Sequence, residues 1–210
     1  TIDVSFGTNG STVVDLGAAV QEVRCIVALS DGRYLIGGAQ GTFSNEPSMA
    51  FVMFLGNGTV DATWGAAGIQ VVTPPGYWAY ARDMVQLPDG GFLVVGGYYD
   101  QTNNYHFDVI TRLTAAGSVD TSFDGDGFIG NSGSSFYRDL FLNADGSFYA
   151  LRRSPLDFSM GPELERRSAN GSLDPTFDGD GTVDLQLRFG FDGDVNGLAV
   201  DGSGRILVCG

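Results

Sequence analysis

The sequence contains no lysine, one histidine, two cysteines and four glutamates among its 210 residues. Its 11 basic side chains are therefore all arginine, and 25 acidic side chains bring the formal net charge to −14 at pH 7. Nucleic acids and anionic membrane surfaces require a basic face, so this charge argues against both as partners. The acidic balance suits divalent cations or cationic partners instead.

Long apolar stretches and helical periodicity are also lacking. No apolar run approaches the roughly 20 residues of a membrane span, and no signal peptide is visible at Thr1, so no membrane insertion is predicted. The absence of long helical periods favours β structure. Cys25 and Cys209 fall at different positions of the repeat described below, so the repeat encodes no disulfide. His106 has neither a cysteine nor a serine elbow near it in the repeat, so no Ser-His-Asp or Cys-His device is indicated.

A short cassette recurs four times: an apolar residue, Asp, any residue, Ser or Thr, and an aromatic, with a glycine seven residues after the Asp. Its aspartates are Asp3, Asp61, Asp120 and Asp174. A second motif recurs once per copy of the cassette, at a nearly constant distance from it. It is Asp-Gly at 31–32, 89–90 and 145–146 and Ser-Gly at 203–204. Two marks in phase identify a tandem repeat, with units 2–59, 60–118, 119–172 and an incomplete 173–210 in a single repeat domain.

Each full unit predicts four short strands. In the first unit these are 12–14, 26–29, 34–36 and 50–55, and Asp31-Gly32 forms a tight hairpin between the second and third. The strands beside the hairpin are apolar at consecutive positions, so both of their faces are covered. The sequence therefore predicts an all-β fold, a β-propeller of about three and a half four-stranded antiparallel blades. We expect the cassette to connect successive blades, with its Asp and Ser/Thr bonding the backbone and its aromatic buried between blades.

The cassette and the hairpin together resemble the delta-60 repeat family, and the resemblance covers essentially the whole chain. It implies a β-propeller-like repeat of bacterial proteins that are largely secreted or on the cell surface, with the periplasm as an alternative location. It brings no catalytic residues. Unit 3 departs from the pattern, because Leu151-Arg152-Arg153 replaces the Gly37-Gly38 and Gly96-Gly97 endings.

An arginine precedes three of the four hairpin turns by seven residues. These are Arg24, Arg82 and Arg138, with Asn196 at the same position in the fourth unit. In a propeller this position lies near the entry of the innermost strand, so the arginines form an arc that is suited to a carboxylate or sulfate ligand. The competing interpretation, which an acidic protein favours, pairs each arginine with a cassette aspartate or with the adjacent Asp83 or Asp139.

Aromatic residues without counterparts in the other units precede the inner strand of unit 2. Trp78 and Tyr80 in this stretch are candidates for stacking on the sugar ring of a ligand, although core packing is the interpretation favoured for Trp78.

One local motif points to a metal. Asp192, Asp194 and Asn196 place three oxygen side chains on alternate residues ahead of Gly197, as at the start of a calcium loop. The acidic closing ligand is missing, since Ser203 stands at the twelfth position, and the asparagine also fits the repeat pattern. Calcium is the one cofactor that the sequence suggests. The Asp-Gly-Asp turns at 124–126 and 178–180 are weaker candidates.

These features favour a non-catalytic binding or scaffold module of a secreted or cell-surface bacterial protein, acting in adhesion or in glycan or protein recognition. The alternative is a glycan-active propeller enzyme, sialidase- or lyase-like, whose acid/base pair would have to draw on few glutamates, namely Glu22, Glu46, Glu163 and Glu165. The units make half of a typical ring of about seven blades, so we expect the open blade edge to be completed by further repeats of the same chain or by another chain. Closure of the four units into a small ring is the remaining alternative.

Overall fold

The structure, a computed structural model, describes residues 1–18, 20–42, 45–73, 78–100, 105–131, 136–153, 161–185 and 195–210. Within these ranges no helix is present that could cross a membrane. Blade 1 consists of β1 (Val20–Ala28), β2 (Tyr34–Thr42), β3 (Asn45–Phe54) and β4 (Ile69–Val72). Blade 2 consists of β5 (Trp78–Gln86), β6 (Phe92–Asp100), β7 (Tyr105–Leu113) and β8 (Phe128–Asn131). Blade 3 consists of β9 (Phe136–Leu142), β10 (Phe148–Arg153), β11 (Glu163–Arg167) and β12 (Thr182–Asp184), and blade 4 of β13 (Gly197–Val200) and β14 (Ile206–Cys209).

The all-β, blade-based fold predicted from the sequence is confirmed. Each of the first three blades is a four-stranded antiparallel sheet with its strands in chain order, and blade 4 is a two-stranded hairpin. The first strands β1, β5, β9 and β13 contact one another in succession, which makes them an inner row shared by all four blades. Among the described residues the sheets are not closed into a ring.

The assignment of strands to blades differs from the prediction. The stretch after the first cassette, predicted as a first strand at 12–14, is not part of any sheet. Its counterparts after the later cassettes are β4, β8 and β12, the fourth strands of the blades begun by the preceding units. The cassette therefore connects the third and fourth strands of one blade, and the prediction that it links successive blades is wrong. Each later sequence unit therefore begins with the fourth strand of one blade and continues with the first strands of the next blade.

The Asp-Gly hairpins join the first and second strands of each blade. In blade 1 the Gly32 N–H donates to the Leu29 carbonyl at 3.0 Å, and the Leu29 N–H donates to the Arg33 carbonyl at 2.9 Å. Gly32 alone in this turn has a positive φ, of 85°, whereas Asp31 accepts the Arg33 N–H through its carboxylate at 3.1 Å. The turn is thus a three-residue loop that ends in a left-handed glycine, and the aspartate caps it.

The cassette folds as a turn that its aspartate holds. Asp61 Oδ1 accepts the Thr63 N–H at 3.1 Å and the Thr63 hydroxyl at 2.5 Å, and the other three cassettes repeat this pair of bonds. Trp64 is 3 % exposed and donates through Nε1 to the Ala115 carbonyl of blade 2 at 3.0 Å. A Cβ at Gly117 would lie 2.7 Å from this ring, so the turn that receives it requires glycine. Burial of the cassette aromatic between blades is therefore confirmed for Trp64.

The hydrophobic core lies between blades rather than inside them. One cluster joins blades 1 and 2, with Met49 and Phe51 packed against residues such as Phe92 and Val94. A second cluster joins blades 2 and 3, and a third joins blades 3 and 4. Because every sheet has an apolar face on each side, consecutive apolar residues in one strand serve two different interfaces.

Candidate functional site

The three predicted arginines each occupy a β-bulge in the inner row. Arg24 is the extra residue between Val23, which pairs with Gly38, and Cys25, which pairs with Gly37. Arg82 and Arg138 are the extra residues at the same point of β5 and β9. A bulge redirects a side chain out of the alternation of its strand. The repeat therefore presents one arginine per blade from equivalent places along the inner row.

These arginines lie around Tyr80. The Arg24 guanidinium carbon is 4.6 Å from the centre of the Tyr80 ring, a cation–π distance. Burial raises the pKa of the Tyr80 hydroxyl, and the positive charges of Arg82, Arg24 and Arg138 partly offset that rise. Arg24 thus contacts this phenol, and Arg82 and Arg138 occupy the equivalent bulges of the next two blades. The structure brings together four of the residues that the sequence singled out as a ligand site.

The alternative partners predicted for these arginines are largely engaged elsewhere. Arg24 pairs with Glu22 at 2.5 Å, and the two side chains are 36 % and 48 % exposed. Arg138 lies 6.0 Å from the ring of Phe136. Three of the four cassette aspartates bind a second set of arginines: Arg33 to Asp61 at 3.0 Å, Arg112 to Asp120 at 3.1 Å and Arg166 to Asp174 at 3.2 Å. The cassette aspartates are therefore structural, as predicted.

The remaining predicted site residues are only partly described. The backbone of Trp78 begins β5 and pairs with Tyr99, and its side chain lies outside the described part of the chain. Asp192 and Asp194 lie outside the described residues, so the calcium loop stays a prediction. The Asn196 N–H donates to the Cys209 carbonyl at 2.9 Å. Among the described residues no three His, Cys, Asp or Glu side chains are grouped closely enough to hold a metal ion.

The Asp-Gly-Asp turns use their carboxylates locally. Asp126 Oδ1 accepts the Phe128 N–H at 2.9 Å, and Asp180 Oδ1 accepts the Thr182 N–H at 2.8 Å. Asp124 and Asp178 adopt positive φ angles of 51° and 52°, which aspartate tolerates better than most residues. These contacts explain the four aspartates as turn residues.

Two parts of the repeat match a known protein family. Two segments, residues 29–63 and 88–123, match a family described as a domain of unknown function (DUF5122) beta-propeller. The repeats are of the β-propeller kind. Each matched segment runs from a hairpin turn to the following cassette, and thus contains the second and third strands of a blade. No curated protein and no solved structure matches the chain. The narrower resemblance to delta-60 repeats stays a prediction.

Two carboxyl groups link the propeller blades along the inner row. Asp83 Oδ2 accepts the Leu140 N–H of blade 3 at 3.0 Å, and Asp139 Oδ2 accepts the Leu198 N–H of blade 4 at 2.6 Å. Burial and a hydrogen bond to Asp139 raise the pKa of Asp83 to about 7. The Asp83 carboxyl therefore holds its proton to a higher pH than an ordinary aspartate does, at the junction next to the arginines. The sequence placed both aspartates beside Arg82 and Arg138 but gave no sign of this bridge, which depends on the stacking of blades.

A second polar cluster, which sequence reasoning missed, lies inside the interface between blades 2 and 3. The Tyr137 hydroxyl donates to Glu165 Oε2 at 2.8 Å, and Arg167 Nε donates to the same oxygen at 2.7 Å. Arg152 lies 3.1 Å from Glu165 Oε1 and also pairs with Glu163. Tyr137 and Glu165 are 0 % and 1 % exposed, and burial raises the pKa of the Tyr137 hydroxyl well above its ordinary value. Two sequence features could have indicated this cluster: Arg152, which departs from the repeat, and the two glutamates Glu163 and Glu165, which lie two residues apart.

The bulge arginines and the buried cluster of blade 3 offer different chemistry. The bulge arginines offer hydrogen-bond donors and positive charge beside a phenol, and Arg24 is accessible to solvent. Guanidinium groups of this kind are suited to binding anions. The blade 3 cluster holds a tyrosine and a glutamate in hydrogen-bond contact, but both are enclosed by protein. Access to solvent therefore favours the arginine site for ligand binding.

Proposed function

We propose that this chain is a non-catalytic binding module that recognises an anionic ligand through the bulge arginines of its inner row. One observation supports this proposal above the others: Arg24, Arg82 and Arg138 occupy equivalent bulges of the inner row, and Arg24 stacks on Tyr80. Guanidinium groups bind carboxylates and sulfates through paired, charge-assisted hydrogen bonds. The ligand class is a glycan or protein that carries such groups.

The charge of the whole chain sharpens this proposal. A protein with a formal charge of −14 repels anions over most of its surface, so an anionic ligand gains only where arginines are concentrated. Binding should weaken with added salt, because the attraction at an accessible site is screened. The proposal includes a location outside the cell, on the cell surface or in secreted form. Only the resemblance of the repeats supports that location.

An array of sulfated, carboxylated and neutral glycans tests the proposal, followed by titration calorimetry with any oligosaccharide bound. We expect sulfated or carboxylated probes to bind and neutral ones not to bind. Arg24→Ala should weaken binding by about tenfold or more, since a hydrogen bond to a charged group contributes about 1.5–3 kcal/mol. Arg205→Ala is the matched control, because Arg205 is exposed and pairs with Asp201 in the blade 4 hairpin. Equal binding by wild type and Arg24→Ala would contradict the proposal.

The second candidate function, a glycan-active enzyme, has one observation in its favour. Tyr137 and Glu165 form a hydrogen-bonded pair flanked by Arg152 and Arg167, an arrangement able to activate a phenol oxygen. Turnover in a screen of the same glycans that is abolished by Tyr137→Phe would favour it. Binding without turnover favours the module.

A further inference from the structure

Two carboxyl groups of the inner row converge on one hydrogen-bond donor at the junction of blades 2 and 3. Asp83 Oδ2 and Asp139 Oδ1 both accept the Leu140 N–H, at 3.0 and 2.9 Å. A single N–H cannot neutralise two carboxylates, and a carboxylate opposes the ionisation of a second carboxyl group beside it. The geometry therefore favours a state in which one of the two carboxyl groups is neutral.

Each of these carboxyl groups directly follows a bulge arginine, Asp83 after Arg82 and Asp139 after Arg138. The equivalent residue of blade 1 is Cys25, a thiol whose pKa burial raises to about 12, so that it stays neutral. The junction of blades 2 and 3 therefore places a pair of carboxyl groups beside the arginines of the proposed anion site.

The surroundings of Asp83 decide when it becomes charged. Within its sheet Asp83 pairs with Val95, and the ionisable groups that interact with it from neighbouring strands are Cys25 on β1 and Asp139 on β9. The charged residues of the other strands in contact with β5 lie at or next to strand ends, namely Glu46 in β3 and Asp100 in β6, and β2 has none. Burial, the hydrogen bond to Asp139 and the charge of Asp139 raise the pKa of Asp83 to about 7. Asp83 therefore gains its negative charge near neutral pH.

We propose that Asp83 regulates anion binding at the bulge arginines, so that an anionic ligand binds more tightly while Asp83 is protonated than after it has ionised. This inference rests on the proposed function, because it concerns the same site. A protonated Asp83 adds no charge beside Arg82, whereas an ionised Asp83 adds a negative charge that opposes an anion there. The coupling is reciprocal: a bound anion favours the protonated form of Asp83, so binding near neutral pH takes up protons.

Titration calorimetry of the whole chain with low-molecular-mass dextran sulfate, at pH 6 and pH 8 and constant ionic strength, tests this proposal. Sulfate groups stay ionised at both pH values, so a pH dependence of binding belongs to the protein. We expect wild type to bind about three- to tenfold more weakly at pH 8 than at pH 6. At pH 7, titrations in buffers of different ionisation enthalpy should show protons taken up on binding.

Two variants separate Asp83 from the other groups that titrate. Asp83→Asn keeps the size of the side chain and is neutral at every pH, so it should bind at pH 8 as tightly as wild type does at pH 6, without uptake of protons. Asp124→Asn is the matched control, since it removes one carboxylate from an exposed turn and should keep the pH dependence of wild type. Circular dichroism at both pH values confirms that each variant is folded.

Failure of this inference and failure of the proposed function look different. The same pH dependence in wild type and Asp83→Asn would assign the effect to another group and overturn the regulation by Asp83, while the anion site would stand. Tighter binding of wild type at pH 8 than at pH 6 would overturn it in the same way. No binding of dextran sulfate by wild type at either pH would contradict the anion site itself, and the regulation with it.

Discussion

Blades 2 and 3 turn equivalent faces toward the preceding blade, but the two faces differ in chemistry. The face of blade 2 is built from small and apolar residues, with one hydroxyl, at Ala81, Gly96, Thr111 and Leu113. At the same positions blade 3 carries Tyr137, Arg152, Glu165 and Arg167. Both faces are buried. The repeat therefore requires that the space between blades be filled. It accepts a cluster of ion-paired side chains in one unit where another unit uses side chains without charge.

The two interfaces should fail in different ways. An apolar interface loses stability in proportion to the volume removed, because each contact is weak and local. A buried ionic cluster depends on all its members at once, since removal of one leaves the others charged and unpaired. Substitutions at matched positions can separate these two behaviours.

The largest effect is expected for Trp64→Ala at the interface of blades 1 and 2. The ring packs edge-on against Phe92, with centroids 6.3 Å apart, and donates a hydrogen bond across the interface. Loss of a buried aromatic of this size should lower the free energy of unfolding by about 3–5 kcal/mol, measured by urea denaturation. Phe6→Ala is the control at the equivalent cassette position, where the ring is only half-buried, and should cost much less. Equal losses would show that burial between blades is not what stabilises the cassette.

Glu165→Gln should be nearly as costly, for the opposite reason. The change removes the negative charge that Arg152 and Arg167 share, while the size and shape of the side chain are kept. We expect a loss of about 3 kcal/mol in the free energy of unfolding, since breaking a buried pair leaves an uncompensated charge. Thr111→Val, the matched change in blade 2, removes one hydrogen bond to the Gly127 carbonyl and should cost about 1 kcal/mol. If both changes cost the same, the cluster is not the cooperative unit that the structure indicates.

This comparison also shows what the sequence could and could not predict. Strands and hairpins were predicted because apolar runs and Asp-Gly turns are local signals. The grouping of strands into blades was not predicted, because it depends on the cassette turning back along its own blade. Backbone hydrogen bonds between Met53 and the cassette residues Asp61 and Gly68 hold that turn, and the sequence does not encode them locally. The phase of the repeat located Arg24, Arg82 and Arg138, but it could not show that each sits on a bulge. Arg152 was visible as a departure from the repeat, yet the cluster that it joins comes from three strands, and no sequence spacing encodes that contact.

A smaller effect, which depends on pH, is expected at the carboxyl pair that joins blades 2 and 3. The pKa of Asp83 is about 7 in the folded protein, against an ordinary value of 3.8, because of burial and the hydrogen bond to Asp139. Between these pH values the folded state binds more protons than the unfolded state, so stability falls as pH rises from about 4 to 7 and then levels off. Asparagine at position 83 mimics the protonated carboxyl at every pH. Asp83→Asn should therefore stabilise the protein at pH 8, on the order of 1–2 kcal/mol, and change little at pH 4.

Thermal melts of wild type and Asp83→Asn across this pH range isolate the contribution of Asp83 to stability, because all other carboxylates are common to both proteins. The ionisable groups that interact with Asp83 from the neighbouring strands, Cys25 and Asp139, are likewise unchanged. Asp124→Asn is the control, since Asp124 lies in an exposed turn. A difference between wild type and Asp83→Asn that does not vary with pH would show that the pKa of Asp83 is not raised in the folded protein.

The smallest effect is expected for Arg33→Ala, which compares blades 1 and 4. In blades 2 and 3 an arginine of the third strand pairs with the cassette aspartate. The equivalent position of the third strand in blade 1 is Met53, which carries no charge. In blade 1 the hairpin residue Arg33 pairs with Asp61 instead, at 3.0 Å. Arg33 also binds Asp31 at 2.8 Å, so its loss removes two partly exposed ion pairs, worth about 0.5–1 kcal/mol together. Arg205 stands at the same hairpin position in blade 4, is 78 % exposed and binds Asp201, so Arg205→Ala should change the free energy of unfolding by less than Arg33→Ala. Because screening weakens exposed ion pairs, the difference between the two variants should shrink in high salt, and a difference that salt leaves unchanged would assign the role of Arg33 to packing.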